Sequence, residues 1–147
     1  MKILNYALAL LITLGMISCK SSSDSDNTAP TVDFTSPSPN PDSPTKITAG
    51  GTVNFTGTIS DNKKLKSITF TNLAVGTKTV NDFLVDFNEK LSNKKPASAS
   101  VLDKSEYNVN FSIETLAGAP ANEYTMTCTV MDNSDNPTTK TFYIKVE

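Results

Sequence analysis

Apolar and polar residues alternate along most of this chain, and a strict period of two constrains it to half-buried β-strands. Val32 and Phe34 follow Thr31 on one face. Val53, Phe55, Gly57 and Ile59 share a face, with Asn54, Thr56 and Thr58 opposite. Ile68 and Phe70 repeat the pattern. Tyr107, Val109, Phe111 and Ile113 alternate with Asn108, Asn110 and Ser112, and Tyr124, Met126, Cys128 and Val130 with Thr125, Thr127 and Thr129. Phe142, Ile144 and Val146 close the chain. Successive side chains of a strand point to opposite faces, so each run has one face for a core and one for water. Threonine suits the wet face because its branched carbon fits the pleat. Gly50-Gly51, Asp61-Asn62, Gly118-Ala119-Pro120 and 132–137 punctuate the runs. Strands that bury one face must pair across two sheets, so the pattern predicts an all-β sandwich of about seven antiparallel strands.

Residues 73–105 fit this pattern least. Phe83, Leu84, Phe87 and Leu91 would share a helical face, with Asn81 as its cap, whereas Phe83, Val85 and Phe87 would share a strand face. The expectation here is an extended edge strand, with a short helix over 81–91 as the alternative. The insert is longer than a minimal sandwich needs, and long loops often carry function.

Composition excludes several chemistries. Histidine, tryptophan and arginine are all absent. A Ser-His-Asp or Cys-His constellation and an ordinary zinc site therefore cannot be assembled, nor can a bidentate guanidinium clamp. Glu106, Glu114 and Glu123 read as solvated strand ends rather than as an acid–base pair, so no enzymatic activity is expected. With no basic face, nucleic acid is not an expected partner.

The segment EYTMTCTVMDNSDNPTTKTFYIKVE is similar to the last two strands of bacterial Ig-like, cadherin-like and PKD-like modules. TVNFTGTISDNKKLKSITF is similar to their strands B and C. The resemblance implies an Ig-like sandwich over 30–147 and says almost nothing about activity. Cys128 then falls on strand F, where antibody-type domains place half of their disulfide, but strand B has no cysteine. A small buried apolar role follows for Cys128.

In such a sandwich the loops at Asp61-Asn62 and 132–136 emerge at one end. Asp61, Asp132 and Asp135 are therefore candidate ligands for a hard cation such as Ca²⁺, which takes six to eight oxygens. The competing reading is that Asp and Asn simply form good turns. No other cofactor is expected.

The N-terminus carries an address. Lys2 precedes the apolar run Ala7 to Ile17, and small Ser18 precedes Cys19. This layout is that of an export signal, and Met16-Ile17-Ser18-Cys19 resembles the lipobox of bacterial lipoproteins, with Met16 where leucine is usual. The resemblance implies cleavage after residue 18, lipid attachment at Cys19 and anchoring in the outer membrane. The mature chain would then have 129 residues, 12 of them basic and 15 acidic, for a net charge of −3. Residues 19–29 form the lipidated cysteine and a polar stalk, expected to be flexible. Lys20 to Asp26 resembles the surface-export signal of some outer-membrane lipoproteins.

The function expected from these readings is a surface-exposed lipoprotein presenting an Ig-like module to a protein or glycan. A periplasmic structural component of the envelope and a calcium-dependent adhesion module are the alternatives. The glycan reading requires Tyr107 or Tyr143 to be exposed beside a groove.

Overall fold

The computed structural model describes residues 25–76 and 82–147. Cys19, the lipobox, most of the export-like stretch and Asn81 lie outside the described residues. Seven strands and two helices follow in the order β1 (Thr31–Ser36), β2 (Thr45–Ile47), β3 (Thr52–Ser60), β4 (Leu65–Phe70), α1 (Asp82–Lys94), α2 (Ser98–Val101), β5 (Glu106–Glu114), β6 (Asn122–Asp132) and β7 (Pro137–Val146). One sheet has the order β1-β3-β5 and the other β2-β7-β6-β4. All pairings are antiparallel except β2 on β7. The chain thus changes sheet between β1 and β2, across the proline-rich break at 37–44.

The alternation decides which faces meet. Val53, Phe55 and Ile59 of one sheet and Cys128, Val130 and Phe142 of the other are fully buried between the layers. Phe34 lies 4.8 Å from Phe142 across the gap, and Phe55 meets Phe70 edge-on at 6.1 Å. Such aromatic pairs add to the gain from area burial. Gly57 faces inward opposite Phe34. A Cβ there would lie 2.5 Å from the Asp33 carbonyl oxygen and 2.7 Å from the Phe34 Cα, so only glycine lets the β1 backbone come this close.

At the start of β6, Tyr124 is buried and its hydroxyl donates to the Pro120 carbonyl at 2.9 Å. A tyrosine hooked back in this way to the chain a few residues upstream pins the corner where the connection enters β6.

The expected edge strand at 83–87 is not formed; this stretch is the helix α1. Its buried residues are Phe83, Leu84, Phe87 and Leu91, whereas Val85 is 57% exposed. Leu84 decides the matter: a strand would have buried Val85 with the phenylalanines and turned Leu84 to water. Asn88 anchors the helix, accepting from the Leu73 amide at 2.6 Å and donating to its carbonyl at 3.2 Å. Lys90 donates to the Glu114 carbonyl at the end of β5, and Ser98 of α2 to the Ile68 carbonyl of β4. The helices therefore close the side of the sandwich where β4 and β5 leave their edges, a common way to protect an edge strand. The count of seven strands holds with a different seventh member, β2.

Candidate functional site

Antiparallel pairing brings the turn after β3 and the turn after β6 to one end of the sandwich. Thr31 at the start of β1 pairs with Ser60, so the N-terminal segment arrives there too. Asp26, Asp61 and Asp132 each place a carboxylate oxygen within 4.8 Å of the others'. Two of the three aspartates expected from sequence thus meet. The third, Asp135, does not: it adopts φ 67° in the turn and its exposed carboxylate pairs with Lys66.

Asp26 takes its place and was missed because it sits in the polar stretch assigned to the stalk. That stretch is not free over 25–30. Asp26 and Pro30 are buried, and Asp26 Oδ1 accepts from the Thr28 amide at 3.1 Å in an Asx turn. The Asn136 side chain donates to the Asp26 carbonyl at 2.9 Å, and Thr138 to the Pro30 carbonyl at 2.6 Å. The domain therefore begins before residue 30. Its N-terminal segment is tied down by polar contacts that hydropathy does not reveal.

Each carboxylate is oriented by its own turn. Asp132 Oδ1 accepts from the amides of Ser134 and Asn136, both at 2.8 Å, and Oδ2 accepts from Asn136 Nδ2 at 2.7 Å. Burial by itself would raise this carboxyl's pKa. The hydrogen bonds from Asn136 and Ser134, together with the charge of Lys66, outweigh burial and bring it below its ordinary value. Asp26 Oδ1 also accepts from Asn62 Nδ2 at 3.1 Å. Asp61 Oδ1 accepts from the Lys63 amide at 2.8 Å, while Asp61 Oδ2 is buried without a hydrogen-bond partner. The set offers hard oxygen donors only, a chemistry suited to divalent cations.

The other end differs. A cavity of about 520 Å³ is lined there by Asp82, Phe83, Leu116, Ala117, Gly118 and Pro120. Glu114 and Glu123 are exposed at this end and Glu106 at the opposite one, and Glu123 lies 3.9 Å from Lys145. Tyr107 and Tyr143 are half-buried and neither lines the cavity. Lys104 sits 5.0 Å above the Tyr107 ring. Cys128 is fully buried, and burial pushes its thiol up to about 12, so it is inert packing. Among the described residues no helix is long and apolar enough to cross a membrane.

Two facing sheets, a tyrosine corner and an acidic end fed by three separate segments define the molecule as an all-β sandwich domain. A family model described as "Domain of unknown function (DUF4625)" matches residues 17–147, and the chain belongs to that family. No curated protein matches the chain.

Proposed function

We propose that this protein is a lipid-anchored module of the outer membrane that presents an Ig-like sandwich to a protein partner at the cell surface. The observation that favours this reading is where the chain joins the domain. Asp26 to Pro30 docks at the end formed by the turns at 61–64 and 132–136. A tether from Cys19 would then hold that end toward the membrane. The opposite end, with the 115–121 connection, the start of α1 and the cavity between them, would face outward. Its lining is mostly small or apolar, which suits a protein surface better than a charged ligand. Neither tyrosine lies beside the cavity, so a glycan is the weaker choice.

The test is protease shaving of intact cells, comparing wild type with Cys19→Ala. The proposal expects the wild-type domain to be released from whole cells and the variant to leave the membrane fraction. A wild-type protein that is membrane-bound but protected points instead to a periplasmic structural role. A variant that stays in the membrane removes the lipid anchor from the reading.

A further inference from the structure

We propose that residues 25–30 form a strap that closes over one end of the sandwich and opens without unfolding it, with Asn136 as its clasp. The strap adds no side chain to the apolar core, which begins at Val32. Three side chains from elsewhere in the fold hold it. Asn62 Nδ2 donates to the Asp26 carboxylate at 3.1 Å, Asn136 Nδ2 to the Asp26 carbonyl at 2.9 Å, and the Thr138 hydroxyl to the Pro30 carbonyl at 2.6 Å. A segment held by a few hydrogen bonds and little apolar burial opens at a far lower free energy than the core strands.

Asn136 is oriented for this before the strap arrives. Its Nδ2 also donates to Asp132 Oδ2 at 2.7 Å, and its backbone amide to Asp132 Oδ1 at 2.8 Å. Closing therefore orders little that the turn has not already ordered. The Asp26 carboxylate works against the clasp. It has an oxygen within 4.8 Å of those of Asp61 and Asp132, and like charges that close repel. The charge of Lys66 offsets part of this at Asp132. Amide donors and carboxylate repulsion thus oppose each other in one small segment, which is what a two-state element needs. Closed, the chain enters the fold at Asp26; open, it enters at Thr31. Residues 26–30 then join the stalk and add roughly 17 Å of reach. On a lipid anchor this would free the domain to swivel. That consequence rests on the anchored reading; the opening itself does not.

The test is ¹⁵N relaxation and relaxation dispersion of the full chain in detergent micelles, reading the amides of Asp26 to Ala29 and the Asn136 side chain. Exchange should be confined to these groups while β3 and β6 stay rigid. Asn136→Ala and Thr138→Val each remove one fastening and should raise the open population about fivefold. Thr139→Val, whose hydroxyl pairs with Thr129 instead, should leave it unchanged. Asp26→Asn should act in the opposite direction and close the strap further. It removes the repelling charge, keeps an acceptor for Asn62 and brings a donor toward the buried, unpartnered Asp61 Oδ2. Strap amides as rigid as β3 in wild type, Asn136→Ala and Thr138→Val would overturn the strap, as would opening only together with β1. An Asp26→Asn variant that opens would overturn the opposing role of the carboxylate. Cys19→Ala without detergent should show the same exchange, so the strap stands or falls apart from the anchor.

Discussion

The two ends of the sandwich are held by different physics. At one end the N-terminal segment and two turns are bound by carboxylates and amides, with Asp132 fully buried among its donors. At the other, Phe83 packs 5.0 Å from the Tyr124 ring, and the Tyr124 hydroxyl ties back to Pro120 beneath it. The first depends on charge state and geometry, the second on area and shape. The acidic end should therefore respond to pH, while the apolar end should be indifferent to it.

Truncating each end in turn tests this contrast. Phe83→Ala should cost the most, about 3–5 kcal/mol, by leaving a cavity against Tyr124 and Phe87. Urea unfolding should show a loss nearly constant from pH 4 to 8. Asp132→Ala should cost about 2–4 kcal/mol, since it orphans the Ser134 and Asn136 donors.

Here the loss should depend on pH. The folded Asp132 carboxyl lies below its ordinary value, so it contributes stability that is present above the unfolded pKa of about 3.9 and lost as pH falls through the folded one. Wild type and Asp132→Asn should therefore converge in stability below about pH 4. Parallel acid-unfolding curves would show that the carboxylate's charge contributes nothing.

Tyr124→Phe removes one hydrogen bond at the apolar end and should cost about 1 kcal/mol. A much larger loss would mean that the corner, not the apolar packing, organises that end. Asp135→Asn breaks only an exposed ion pair with Lys66 and should change stability by less than about 0.5 kcal/mol. A larger effect would make the turn's surface charge part of the acidic end's stability.

Six of the seven strands were legible because burial is written into them at every second residue. From β3 through β7 the inward residues match the alternation, so the pairing of two turns at one end followed from topology. Asp61 and Asp132 came with it. Cys128 was read correctly as packing, since no second cysteine was placed to meet it.

What stayed hidden had no local period or an ambiguous one. Phe83, Leu84, Val85 and Phe87 satisfy either a helix or a strand. The choice fell to the open side between β4 and β5, which a helix anchored by Asn88 covers. β2 has three residues and exists because β7 offers an edge. Asp26 lies 35 residues from Asp61 in a stretch without apolar residues, so nothing near it in the chain signals its partners. The sequence alone determined the strands, their buried faces and the acidic turns, because those depend on neighbours one or two residues away. Only the tertiary structure decided that Asp26 completes the cluster and Asp135 turns outward. That choice depends on which backbone and side-chain donors the fold brings within hydrogen-bonding distance.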